Sequence, residues 1–163
     1  MGKLSFRDWL TEQTNKQPSQ QEIAQKKQEW LEAIDSLYTQ MHDWLRQDDP
    51  GQLIKTWEAS ETIEEEELGI YSVPSLRFVM NHRMVTAMPI ARNVIGPASG
   101  GGALAPIRGE GRVDLKSGVE NFHLYRVRDS QNKTRWIIVN QDKLTFKNLD
   151  KDAFENALQH LFS

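Results

Sequence analysis

The spacing of apolar residues changes from a helical to an alternating period near residue 68 of this 163-residue chain. Up to about residue 47, apolar residues recur three and four positions apart, which is typical of an amphipathic helix. Beyond residue 70 they alternate with polar residues, which is typical of strands that bury one face. A helical section followed by an antiparallel sheet is an α+β architecture by element order.

The first half of the chain predicts one long amphipathic helix. Ser19 and Glu22 form a capping box directly after Pro18, so the helix is expected to begin there. It is expected to end near Gln47, because the turn residues Asp48–Gly51 follow. Its apolar stripe consists of Ile23, Trp30, Ile34, Leu37, Met41 and Trp44.

Three shorter segments also carry helical signals. Leu4–Thr14 predicts one or two helical turns. With Asp49 as a cap and Pro50 at a first helical position, a short second helix is expected over Gly51–Ala59. Asp150 is the expected cap of a C-terminal helix, Lys151–Phe162.

The alternating part of the chain predicts two hairpins. The first joins Leu76–Asn81 to Met84–Ile90 through a tight turn, with an edge or a bulge at Pro89. The second joins Arg108–Lys116 to Asn121–Arg128, with Gly118 in the turn.

The turn of the second hairpin sets its register. Lys116 is expected opposite Asn121, which places Asp114 opposite His123 and Arg112 opposite Tyr125 on one face. Further strands are expected at Thr134–Asn140 and Leu144–Lys147, and a flexible loop at Pro97–Ala103.

These elements predict a single domain over residues 1–163. It would comprise a helical section (1–60), an antiparallel sheet of five to six strands (70–149) and a C-terminal helix (150–163). The chain has no cysteine, which favours a reducing cytoplasm. No apolar stretch approaches the roughly 20 residues of a membrane-spanning helix, so we expect no membrane partner.

Charge is divided unevenly along the chain. Residues 1–69 carry seven Lys and Arg against fifteen Asp and Glu, whereas residues 70–149 carry twelve against five. This asymmetry points either to an anionic partner for the basic sheet or to a complement between the two parts. The net charge of −3 for the whole chain does not show this division.

The second hairpin offers the strongest candidates for catalysis. Glu110, Asp114 and Lys116 are expected on one strand face, with His123 opposite Asp114. An acid-x-Lys pair beside a second carboxylate is typical of metal-dependent nucleases. Alternating charges also make an exposed strand face soluble, and the four histidines have no helical His partner that would indicate a metal site. We therefore expect no cofactor and no bound metal.

The preferred hypothesis is a non-catalytic interaction module, an accessory or adaptor subunit. A protein partner or a second copy of the chain is expected, with nucleic acid as a further possibility because Arg forks onto phosphate. The alternative is a nucleic-acid-binding protein or a nuclease centred on Asp114 and Lys116. The binding candidates are Arg77, Arg112, Lys116, Tyr125, Arg126, Arg128 and Arg135.

Overall fold

The computed structural model describes residues 4–16, 18–94, 108–118, 120–140 and 145–163 of the chain. The helices are α1 (Phe6–Asn15), α2 (Gln20–Asp48) and α3 (Lys151–Phe162). The strands are β1 (Lys55–Glu65), β2 (Gly69–Met80), β3 (Arg83–Ala91), β4 (Arg108–Ser117), β5 (Glu120–Arg128), β6 (Thr134–Asn140) and β7 (Phe146–Asn148). The α+β architecture is confirmed.

Side-chain caps fix where the helices begin. The Ser19 hydroxyl accepts the backbone N–H of Glu22, and Asp150 accepts that of Ala153, as the sequence predicts. Ser5 caps α1 in the same way by accepting from Asp8. None of the helices in the described ranges is both long enough and apolar enough to cross a membrane.

The strands form one antiparallel sheet in chain order, β1 to β7. It has seven strands instead of the five or six expected, because it begins at Lys55. The short helix predicted over Gly51–Ala59 is therefore wrong. The Asp49 carboxylate instead accepts the N–H groups of Leu53 and Ile54, which starts β1 rather than a helix.

Both predicted hairpins are confirmed, and the second has the predicted register. The first turns at Asn81 and His82, which both have positive φ, as a type I′ turn requires. Gly118, in the turn of the second, has φ +57°. The second pairs Arg112 with Tyr125, Val113 with Leu124, Asp114 with His123, Leu115 with Phe122 and Lys116 with Asn121.

Two irregularities interrupt the ladders. The register shifts between Pro89 and Ala91, where a bulge was one of the expectations. It shifts again between Gly109 and Gly111, so the β4–β5 ladder passes over Glu110. The predicted loop at 97–103 and residue 144 of the predicted last strand lie outside the described residues.

The two faces of the sheet differ in what covers them. One face packs on α2 and α3 through buried residues that include Leu76, Phe78, Leu115, Trp30 and Phe154. Side chains alternate along a strand, so the neighbouring residues Arg77, Thr86 and Lys116 lie on the opposite face. We call this second surface the helix-free face.

Candidate functional site

A row of paired residues crosses the helix-free face from β1 to β4. Trp57 pairs with Arg77, Arg77 with Thr86, and Thr86 with Lys116. Directly paired residues in antiparallel strands point to the same side. With strands about 4.8 Å apart, the row spans about 14 Å from Trp57 to Lys116.

This row combines exposed apolar and cationic side chains. Trp57 is 45% exposed, and Met84, two strands away on the same face, is 41% exposed. Arg77 is held between them, donating to Glu61 at 3.0 Å and contacting the Met84 sulfur at 3.6 Å. Lys116 is exposed and forms no ion pair with any residue in the described ranges. The row therefore presents one large aromatic side chain and a mobile cation to solvent.

The Asp114 cluster lies on the same face, as the sequence predicts. Arg112 donates to both oxygens of Asp114, each at 2.7 Å, and His123 Nδ1 lies 2.7 Å from Asp114 Oδ1. An ionised carboxylate only accepts, so this imidazole nitrogen carries the proton. Burial alone would raise the pKa of Asp114, but the hydrogen bonds from His123 and Arg112 outweigh it and the pKa is lowered. Asp114 is thus a buried anion neutralised from two sides.

Tyr125 belongs to an apolar patch beside this cluster. It is 8% exposed and packs with Val127, Ile137 and Val139, and its ring meets that of His123 edge-on at 6.2 Å. Burial raises the pKa of its hydroxyl. A ring held in this way contributes to the fold, and little of its surface is left for stacking on a base.

Glu110 does not share the face of Asp114, so that expectation is wrong. The bulge removes Glu110 from the alternation, and its carboxylate meets Arg92 at 2.5 Å and Arg128 at 3.1 Å. Glu110 is 2% exposed, and Arg126 lies close enough for the charges of the two side chains to attract each other. The two carboxylates of the proposed nuclease site are therefore each held by their own arginines.

The remaining binding candidates are engaged within the sheet or buried. Arg128 also donates to Asn132, and Arg135 donates to Asn148 at 2.6 Å. Arg126 is half-buried, and this burial lowers the pKa of its guanidinium. Arg112 and Arg128 thus pair with carboxylates of the basic part of the chain, Asp114 and Glu110. Arg77 instead pairs with Glu61 of the acidic front part.

This arrangement favours a structural role for both carboxylates. Within the described ranges, no group of three or more His, Asp or Glu side chains is arranged to hold a metal ion. Glu110 is ion-paired with Arg92 and Arg128, and Asp114 with Arg112, so both carboxylates are already neutralised by cations of the chain itself. The nuclease hypothesis stays a prediction that this geometry does not favour.

Sequence reasoning missed Trp57 and Met84 as surface residues. The sequence predicts Trp57 within a short helix and Met84 as an ordinary strand residue. The alternation of Trp57, Ala59, Glu61 and Ile63 was the available signal for a strand.

Comparisons of this chain with protein families, curated proteins and solved structures returned no match.

Proposed function

We propose that the protein is a non-catalytic interaction module that binds an acidic segment of a partner protein on its helix-free face. The row from Trp57 to Lys116 is the observation that carries this proposal. We also propose the cytoplasm as its compartment, because the chain has no cysteine.

The composition of this surface supports a protein partner. Trp, Met and Arg are enriched at protein interfaces, and Trp and Arg are the commonest residues that dominate binding energy. Trp57 and Met84 are the two apolar side chains that this end of the face leaves exposed. Arg77, fixed between Glu61 and Met84, loses little further freedom on binding.

The charges of the surface favour an acidic partner over an uncharged one. Lys116 and Lys55 are exposed, and neither forms an ion pair with a residue in the described part of the chain. Both lie on the helix-free face, Lys55 in register with Val79 and Met84. Carboxylates of a partner would find these ammonium groups on either side of the Trp57 ring.

Nucleic acid fits the same surface less well. Binding that is dominated by phosphate contacts uses about 6–10 cationic side chains. Here Arg112, Arg128 and Arg77 are already paired with carboxylates, and Tyr125 is buried. Two exposed lysines and one aromatic ring are few for tracking a sugar-phosphate chain.

Fluorescence titration of the whole protein tests the proposal. The probes are poly-L-glutamate and a single-stranded DNA oligonucleotide, each at about 20 mM and about 300 mM salt. Poly-L-glutamate is expected to bind at low salt, to weaken at high salt, and to lose at least about tenfold in affinity with Lys116→Glu. Lys133→Glu makes the same charge change at the exposed β5–β6 turn and is expected to bind like the original chain.

Two results would overturn the proposal. One is failure of poly-L-glutamate to bind at either salt concentration. The other is binding of DNA with no binding of poly-L-glutamate, which would make nucleic acid the partner. Equal losses with Lys116→Glu and Lys133→Glu would show that total charge, and not this face, governs the association.

A further inference from the structure

Helix α1 exposes its entire apolar side. Phe6 is 73% exposed, Trp9 47% and Leu10 46%, and none of the ten residues of the helix is buried. The rings of Phe6 and Trp9 stack with centroids 5.8 Å apart. Leu4, which precedes the helix, is 55% exposed as well. This side of α1 is therefore an apolar surface that the described part of its own domain does not cover.

A helix of this length needs a partner to be stable. Isolated helices shorter than about 12–15 residues are marginal in water, and most helical stability comes from packing an amphipathic face. The Ser5 cap supplies one hydrogen bond, to Asp8 at 3.1 Å. Burial of the Phe6 and Trp9 rings would supply the larger part of the missing stabilisation.

A groove at the opposite end of the molecule has the matching chemistry. It encloses about 390 Å³ between the end of α2, the start of β1 and the end of α3. Leu158 and Phe162 form its buried floor, and Leu45 and Ile54 are half-buried in its walls. Its acidic residues are Asp48, Asp49 and Glu155.

The chain cannot place its own α1 in its own groove. The 29 residues of α2 separate the two and span about 43 Å. Helix α1 together with its connection to α2 reaches at most roughly 30 Å from the start of α2. An α1 helix that occupies the groove must therefore come from another molecule.

We propose that α1 docks in the groove of a second copy of the chain, and that the exchange is reciprocal. Each copy has one helix and one groove at opposite ends of α2, so a two-fold arrangement satisfies both and closes the assembly. Arg7 neighbours Leu10 on the helix surface, so docking of Phe6 and Leu10 would bring its guanidinium to Asp48 and Glu155, two carboxylates that share the one ammonium group of Lys151.

The area is sufficient for a stable dimer. At 73%, 47% and 46% exposure, the side chains of Phe6, Trp9 and Leu10 can bury about 375 Å² of one helix, and about as much of the groove. Two such dockings bury about 1,500 Å² in total, which is within the range of specific protein interfaces. One docking alone would bury about 750 Å² and fall below it.

Size-exclusion chromatography coupled to light scattering, on the whole chain over a range of concentrations, tests the proposal. The original chain is expected to be a dimer, and Trp9→Ala to raise the dimer dissociation constant at least about tenfold. Gln159→Trp fills the mouth of the groove from an exposed position and is expected to do the same. Trp57→Ala removes an equally exposed tryptophan elsewhere and is expected to leave the dimer intact.

Mixing the two interface variants identifies which surfaces meet. A Trp9→Ala copy still offers an intact groove, and a Gln159→Trp copy still offers an intact helix. Their equimolar mixture therefore regains one of the two dockings and is expected to associate more strongly than either variant alone. No such gain would arise if α1 paired with another α1.

Three outcomes would overturn the inference. They are a monomer at every concentration, a dimer that survives both Trp9→Ala and Gln159→Trp, and a mixture that associates no better than its components. If the original chain is monomeric and sediments with vesicles of anionic phospholipid until Trp9 is replaced, the occupant is a lipid surface instead. Trp9→Ala and Gln159→Trp leave the helix-free face untouched, so their effect on association is independent of the proposed function.

Discussion

Gly111 lies directly against the indole ring of Trp30, where no side chain fits. A Cβ built on Gly111 would stand 2.2 Å from Trp30 Cζ3, and the residue has φ +154°. Gly111 belongs to the β4 bulge, and Trp30 is the largest fully buried side chain of α2. The bulge therefore both opens room for the helix and turns Glu110 toward Arg92 and Arg128.

Replacing this glycine is expected to destabilise the protein strongly. Gly111→Ala adds a methyl group in a packed core and forces alanine into a backbone conformation that L-residues rarely adopt. The two effects together are expected to cost about 2–5 kcal/mol of unfolding free energy, measured by urea denaturation.

Two other glycines separate these effects. Gly118 has φ +57° but open space around it, so Gly118→Ala is expected to cost about 1 kcal/mol from strain alone. Gly51 has open space and no positive φ, so Gly51→Ala is expected to stay within about 0.5 kcal/mol of the original chain. Equal losses at all three positions would contradict the close packing on Trp30.

The second hairpin could be predicted from sequence because its register depends on local chemistry. A glycine in the two-residue turn fixes the pairing, and the alternation then assigns Asp114, His123 and Arg112 to one face. The Glu110 error arose at the bulge, since an extra residue in one strand reverses the alternation. The glycines on both sides of Glu110 were the local signal for it.

Strand β1 could not be recognised by apolar alternation alone. Two of its partly or fully buried positions are acidic, Glu61 and Glu65, and their partners come from distant parts of the chain. Glu61 accepts from Arg77, while Glu65 accepts the backbone N–H groups of Arg92 and Asn93. A carboxylate that is buried because of a long-range contact looks, in the sequence pattern, like an exposed polar residue.

The hydroxyl of Tyr38 is expected to contribute measurably to stability. It donates to the carbonyl of Pro74 at 2.7 Å and lies 3.3 Å from that of Ala87, thereby tying α2 to β2 and β3. Burial raises the pKa of this hydroxyl, so it stays protonated and able to donate. Tyr38→Phe is expected to lose about 1–2 kcal/mol of unfolding free energy, because a buried carbonyl loses its donor.

The matched control for Tyr38 is the same substitution at a less buried hydroxyl. Tyr71→Phe removes a hydroxyl that donates to the Glu65 side chain near the end of the β1–β2 hairpin. Glu65 keeps its contacts with Arg92 and Asn93, so a smaller loss is expected there. A larger loss at Tyr71 would show that the hairpin end, and not the α2 contact, limits stability.

Asp114 is expected to make stability depend on pH in the acid range. Its pKa in the folded protein is lowered, so it stabilises the fold above its ordinary value of 3.8 and this contribution is lost as pH falls through the folded value. Asp114→Asn is expected to lose about 1–3 kcal/mol at pH 7, and the difference from the original chain is expected to narrow as the pH falls below 3.8.

Urea denaturation at pH 7, 4 and 2.5 measures this difference. Asp35→Asn, on the exposed side of α2, removes the same charge without touching a cluster and is expected to change little at any pH. A gap between Asp114→Asn and the original chain that stays constant from pH 7 to 2.5 would contradict the assignment of Asp114 as the titrating group.

The two serine caps are expected to differ in their effect on global stability. Ser19 caps α2, whose apolar residues Trp30 and Ile34 are fully buried, so Ser19→Ala is expected to cost about 1 kcal/mol of unfolding free energy. Ser5 caps α1, which buries none of its residues, so in a dilute monomer Ser5→Ala is expected to leave the urea midpoint unchanged. It is expected to lower only the helical circular dichroism signal, because α1 frays without loss of the core.

At concentrations where the dimer forms, Ser5→Ala is expected to weaken association, since a frayed helix must be ordered again before it docks. A shift of the dilute midpoint with Ser5→Ala as large as that with Ser19→Ala would show that α1 packs on its own domain and is not held for a second copy.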